Sequence, residues 1–219
     1  MLRASVPLVF LLAFSCQSAA TPASPAMPDG EGRGVVHFDA APRPGSSTWQ
    51  RPEWRLGDRF VLVRGGLVKG EFRVAAVTDT HYELDTGSGV LLRRDRDLGN
   101  LGEWSANGEA LHLLSPADTR YHWPLWVGKR WSCEFVDRSR GGAAMPMRAD
   151  YVVEDLDHIT VPAGTSPALR IVRTVRLVGA GDDYLARSQV IWYAPTLGTE
   201  VRQLVGDSLV ELVLRSPGP

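Results

Sequence analysis

The stretch Glu71-Phe72-Arg73-Val74-Ala75-Ala76-Val77-Thr78-Asp79-Thr80-His81-Tyr82-Glu83-Leu84 decides the fold. Charged and apolar residues alternate at 71–74 and again at 81–84, so each arm carries one polar and one apolar face. That period of two belongs to a strand, and the polar Thr-Asp-Thr between the arms marks a turn. The pattern recurs in both directions. Arg59 to Val63 precedes it and is closed by Gly65-Gly66; Val90 to Leu92 and Ala110 to Leu114 follow. Further strands are predicted at Arg130 to Val136, Arg148 to Glu154, His158 to Val161 and Ala168 to Val178. Tyr184 to Tyr193, Gly198 to Val205 and Ser208 to Leu214 complete the set. Gly179-Ala180-Gly181-Asp182-Asp183 and Gly206-Asp207 read as hairpin turns, since Gly and Asp reach the positive φ that tight turns need. No convincing amphipathic helix interrupts the series. The expected fold is all-β: a single antiparallel meander forming a strongly curved sheet or open barrel.

The two halves resemble each other. Leu56-Gly57-Asp58-Arg59-Phe60 matches Val127-Gly128-Lys129-Arg130-Trp131 at an offset of 71, and His81 to Arg93 matches His158 to Arg170 without a gap at an offset of 77. The change of offset falls in the Gly- and Ala-rich stretch from Arg138 to Met147, where an insertion is readily tolerated. Half-repeats are expected at about 54–115 and 124–215, within one β domain over residues 49–219.

The second half carries a family resemblance. Pro124-Leu125-Trp126-Val127-Gly128-Lys129-Arg130-Trp131, then Val161-Pro162-Ala163-Gly164-Thr165, then Trp192-Tyr193-Ala194-Pro195-Thr196-Leu197-Gly198 resemble successive segments of the DUF3108-like (TapB-type) bacterial lipoproteins. The first half joins in only through Trp54-Arg55-Leu56-Gly57-Asp58-Arg59. The resemblance implies a β-rich exported domain of unsettled function and no catalytic residues.

The N-terminus fits that address. Arg3 precedes the apolar run from Val6 to Phe14, which is too short to cross a bilayer and reads as a signal peptide over 1–15. Ala13-Phe14-Ser15-Cys16 is similar to the lipobox of bacterial lipoproteins, with Ala13 and Phe14 departing from the usual leucine and small residue. It implies lipidation of Cys16, and Gln17 after it implies sorting to the outer membrane, with the domain facing the periplasm. Ser18-Ala19-Ala20 offers a rival cut that would discard Cys16. The only other cysteine, Cys133, gives an exported chain no internal disulfide, so Cys16 is more simply an anchor. Residues 16–48 read as the lipidated cysteine and a tether rich in Ala, Pro, Ser and Gly, although Val35, Val36 and Phe38 also fit an edge strand.

Composition points away from nucleic acid. Losing Arg3 with the signal leaves 23 basic against 25 acidic residues, with no basic stripe. Arg93-Arg94-Asp95-Arg96-Asp97 alternates in sign and reads as a solvated strand end or turn. Leu84-Asp85-Thr86-Gly87-Ser88 is similar to the loop of aspartic proteases, whose chemistry needs two carboxylates sharing a proton. The aligned loop, Pro162-Ala163-Gly164, has no carboxylate, and Asp85 reads as a turn residue. The histidines at 37, 81, 112, 122 and 158 show no metal-ligand spacing. Neither a serine-hydrolase elbow nor a phosphate loop is present, so no cofactor, metal or catalytic set is expected. Cys133 reads as a small buried hydrophobe. Of the seven tryptophans, Trp123 and Trp126 on a Pro-containing loop are the weak ligand-binding candidates, the rest reading as core.

The leading expectation is thus a non-enzymatic, membrane-tethered binding or envelope-scaffold lipoprotein, touching the membrane through Cys16 and an envelope protein or apolar ligand through its domain. A carrier of a lipid or acyl chain is the second reading, and requires an apolar cavity on the order of several hundred Å³ opening to solvent. A hydrolase using Asp85 is the third, and requires a second carboxylate within reach of it.

Overall fold

A computed structural model describes residues 32–179 and 185–218 of the chain. The signal peptide, Cys16, most of the tether and the turn residues 180–184 lie outside the described residues. Thirteen strands follow in order: β1 (Gly34–Phe38), β2 (Arg59–Arg64), β3 (Leu67–Val77), β4 (His81–Asp85), β5 (Val90–Asp95), β6 (Asn100–Ser105) and β7 (Ala110–Asp118). Then come β8 (Arg130–Ser139), β9 (Ala144–Val161), β10 (Gly164–Leu177), β11 (Leu185–Ala194), β12 (Thr199–Val205) and β13 (Ser208–Ser216). From β2 onward every strand pairs antiparallel with the next, and β13 pairs with β2 from Val210↔Arg64 to Ser216↔Arg59. The expected meander forms, and its ends meet in a ring of twelve strands with no free edge.

β1 lies outside that count. The lower part of one β8 edge is taken by β7, from His112↔Ser139 to Ser115↔Val136, and the remainder by β1, from Gly34↔Glu134 to Phe38↔Trp131. β7 leaves β8 where Pro116 brings no N–H to the ladder. The edge-strand reading of Val35 to Phe38 is the one the structure adopts. The predicted strands at 148–154 and 158–161 prove to be one long β9. β6 was not legible, because Asn100-Leu101-Gly102-Glu103 lacks a strand pattern; Gly102 sits at φ 122°, where a Cβ would lie 2.1 Å from the His112 carbonyl oxygen.

Alternation sorts the two faces. Val74, Tyr82, Tyr151, Val153, Ile171, Ile191 and Leu212 are fully buried in the interior. The outer wall carries cross-strand ion pairs, among them Arg59–Glu71, Arg93–Glu83, Arg170–Glu154 and Arg202–Glu211. A membrane-spanning barrel is built the other way, with its apolar residues outward.

The halves contain six ring strands each, β2–β7 and β8–β13, and their first strands begin alike. Gly57 N–H donates to the Val74 carbonyl and Val74 N–H to that of Asp58, at 2.8 Å each; Gly128 to Val153 and Val153 to Lys129 repeat this at 2.7 and 2.9 Å. The second match differs in kind. It aligns β4–β5 with β9–β10, whose turns lie at opposite ends of the ring, so it relates two hairpins and not equivalent places in the halves.

One end of the barrel is plugged. Trp49 pairs through its backbone with Leu125, Trp54 Nε1 donates to the Gly198 carbonyl at 2.8 Å, and Trp131 stacks on Tyr151 with centroids 4.9 Å apart. Two charges hold the plug from within. Lys129 is buried, donates to the carbonyls of His122 and Pro124, and lies 4.2 Å from the Trp126 ring. Asp58 accepts from Arg55 N–H, Gly218 N–H and Arg215 Nη2 at 2.8–3.0 Å, fastening the C-terminal strand to the first of the ring. Asp58→Ala leaves the Arg215 charge without its partner at the ring's seam. A loss of roughly 3 kcal/mol or more is expected in urea unfolding; a change below about 1 kcal/mol would contradict the seam's dependence on this carboxylate.

Candidate functional site

The barrel interior holds charges that a wholly apolar core would not. On β5, Leu92 and Arg94 share the inward face, and on β10 Ile171, Arg173 and Val175 do the same. Asp118 closes β7, Arg120 follows it, and Glu200 enters from β12 beside a bulge opposite Trp192/Tyr193. These five side chains form two linked clusters.

The first cluster is satisfied. Asp118 accepts from Arg173 Nη2 at 2.7 Å and from the Tyr151 hydroxyl, while Arg173 Nε donates to Tyr151 Oη at 2.9 Å. Cys133 Sγ lies 3.7 Å from the same carboxylate. Burial opposes the Arg173 charge, but Tyr151 and Asp118 outweigh it and hold the guanidinium above its ordinary pKa. Burial also pushes the Cys133 thiol up, so this cysteine is the inert buried side chain the sequence suggested.

The second cluster is not. Glu200 Oε1 accepts from the Tyr121 hydroxyl at 2.6 Å, and Glu200 Oε2 takes Gln203 Nε2. Arg120 Nη2 lies 3.0 Å from Glu200 Oε1 as an ion pair, but off the line a hydrogen bond needs. Arg120 Nε and Nη2, Arg94 Nη1 and the Tyr193 hydroxyl are all buried with no hydrogen-bond partner among the described residues. For Arg94, burial and then repulsion from Arg120 win, and its pKa is lowered. Arg93-Arg94-Asp95-Arg96-Asp97 is therefore not a simply solvated segment: Arg93 stays outside on Glu83, and Arg94 turns inward. Parity with Leu92 is the sequence signal that would have found it.

Two chambers meet at Arg120. One, of about 190 Å³, has walls of Phe60, Leu62, Phe72, Leu84, Leu92 and Val210, with Arg94, Arg120, Tyr193 and Glu200 at its polar side. It is smaller than a long-chain carrier requires. The other, of about 350 Å³, is polar and runs from Asp118 and Arg173 to the His112–Asp137 pair and Arg187.

The residues singled out in the sequence lie elsewhere. Trp126 is buried beneath Lys129, and Trp123 packs on Tyr121 and Tyr193 while donating to the Asp97 carbonyl; neither lines a chamber. Both belong to the plug. Asp85 is exposed, and its Oδ1 accepts Gly87 N–H at 2.8 Å within its own turn. Among the described residues no hydrogen bond joins it to a second carboxylate, so the two-acid geometry that the hydrolase reading requires is not found there. His81 bonds Thr78 and Thr80, and His158 is exposed.

No family model and no curated protein sequence matches the chain. The DUF3108-like resemblance therefore rests on the quoted segments alone. The fold is similar to that of the hypothetical lipoprotein YmcC from Escherichia coli, at 9% identity over 77% of this chain and 92% of that one, with a TM-score of 0.50. A structure from Parabacteroides distasonis aligns at 10% identity over 77% of this chain and 99% of its own, TM-score 0.44. A Bacteroides fragilis protein with a YmcC-like fold aligns at 10% identity over 78% and 100%, TM-score 0.38.

The interior tyrosines give a direct readout. Burial, followed by Glu200 for Tyr121 and Tyr193 and by Asp118 for Tyr151, raises all three phenols. The unfolded chain loses these protons at about pH 10 while the native state keeps them, so stability falls as pH rises past that point. In an alkaline titration, Tyr121, Tyr151 and Tyr193 are expected to yield phenolate absorbance only as the chain unfolds. Smooth ionisation of Tyr121, Tyr151 and Tyr193 near pH 10 in the folded protein would contradict their burial.

Proposed function

We propose that this chain is a cell-envelope lipoprotein whose barrel binds a small apolar molecule and does no chemistry on it. The observation that carries the reading is the apolar chamber in the barrel, walled by Phe60, Leu62, Phe72, Leu84, Leu92 and Val210. Unfilled space of that kind forgoes packing contacts, which an apolar molecule inside it restores. Half-buried Leu62, Phe72 and Leu92 place part of this wall within reach of solvent.

Cys16 supplies the proposed address. A signal run ending at a cysteine, followed by Gln17 and a Pro/Ala/Ser/Gly-rich stretch, suits an acylated protein held at the outer membrane and facing the periplasm. The fold's likeness to a protein described as a lipoprotein agrees with that. The charged outer wall suits a domain standing in water beside the membrane.

Native mass spectrometry of protein released gently from its own envelope tests the reading. One small molecule bound per chain is expected, and Leu92→Trp, which fills the chamber, is expected to abolish it while the barrel remains folded. A chain that carries no such molecule, or a Leu92→Trp chain that carries it unchanged, would contradict a binding site in this chamber. Labelled palmitate incorporated equally by wild type and Cys16→Ser would remove the anchor.

A further inference from the structure

We infer that the ligand of the apolar chamber is a medium-chain monocarboxylate, seated with its head between Arg94 and Arg120 and its tail against Phe60, Leu62, Phe72, Leu84 and Leu92. This rests on the chamber being a binding site and adds the chemistry of what enters it.

Charge balance is the first ground. Three guanidiniums face the interior at this level, Arg94, Arg120 and Arg173, and two carboxylates answer them, Asp118 and Glu200. Asp118 is committed to Arg173 and Tyr151, and Glu200 to Tyr121, Gln203 and its ion pair with Arg120, which leaves Arg94 without a carboxylate among the described residues. One positive charge is left over. A buried charge without a counter-ion is strongly disfavoured, and one monoanion neutralises the cluster.

Donor geometry is the second. Arg120 Nε and Nη2, one edge of its guanidinium, make no hydrogen bond among the described residues, and Nη2 meets Glu200 Oε1 only as an ion pair at 3.0 Å. Two parallel N–H groups on one edge match the two oxygens of a carboxylate, which a single hydroxyl cannot do. Arg94 Nη1 and the Tyr193 hydroxyl supply further donors without a hydrogen-bond partner on the same chamber, and Glu200 Oε1 takes part of the Arg120 edge as an ion pair, leaving Nε and Arg94 Nη1 to the ligand's head. The apolar wall begins next to these donors, so a ligand needs an anionic end and a hydrocarbon remainder. A volume of about 190 Å³ limits that remainder to a medium-length chain.

Stability supplies the third. Among the described residues Arg94 has no carboxylate partner and its removal leaves no buried acceptor bare, so Arg94→Met is expected to unfold at a urea concentration no lower than wild type. A buried cation that answers no acceptor of the fold is open to an acceptor on a ligand.

Calorimetric titration of the delipidated mature chain bearing Cys16→Ser, with decanoate, decanol and decyltrimethylammonium, tests this. Decanoate is expected to bind about tenfold or more tightly than decanol, with no binding of the cation. Arg94→Met is expected to erase the preference for decanoate while leaving decanol binding unchanged, and Arg94→Lys to keep part of it. Equal binding of decanoate and decanol by wild type would overturn the carboxylate head while leaving an apolar site. Binding of none of the three would overturn both. An Arg94→Met chain that is folded and still prefers decanoate would remove Arg94 from the site.

Discussion

Everything inside this protein follows from the closure of twelve strands through the β13–β2 ladder. Eight strands make a barrel that side chains can just fill; twelve make a wider one. A ring of this size therefore has to manage interior space. One end is filled by the Trp49–Trp54 segment and the Tyr121–Trp126 loop, held by Lys129 and fastened by Asp58. The middle is spanned by long polar side chains reaching across from β5, β10, β12 and the end of β7. The space they leave becomes the two chambers that meet at Arg120.

The guanidinium cluster divides by function along the same line. Arg173, with Asp118 and Tyr151, bridges strands on one side of the barrel and behaves as a structural pair whose removal would strand a charge. Arg94 bridges nothing among the described residues, and Arg120 meets Glu200 as an ion pair without a hydrogen bond. In a core, a donor without an acceptor is a cost; beside an apolar chamber it is a recognition element awaiting its partner.

The strand framework was legible because period-two alternation survives in almost every strand, and Gly and Asp mark the turns. β6 escaped because Gly102 is required by the close approach of the His112 carbonyl, a contact that only the folded neighbour reveals. The interior site escaped for a different reason. Arg94 sits in a run of alternating charges that locally resembles solvent-facing surface, and Asp118, Arg120, Arg173 and Glu200 are scattered along the chain with no motif spacing. Only ring closure brings them together. Trp123 and Trp126 of the Pro-containing loop, read from the sequence as ligand-binding candidates, pack in the plug and line neither chamber. The family-like segments at 124–131, 161–165 and 192–198 all lie at that plugged end, so the resemblance marks the closing device more than the chamber.

A crystal structure of the mature chain soaked with decanoate bears most directly on the claim that Arg94 and Arg120 await an anion. Density for a carboxylate held by Arg120 Nε and Arg94 Nη1, and a chain running past Leu84 and Leu92, is the expected result. Water alone in that chamber, or Arg94 turned out to solvent with decanoate elsewhere, would contradict it.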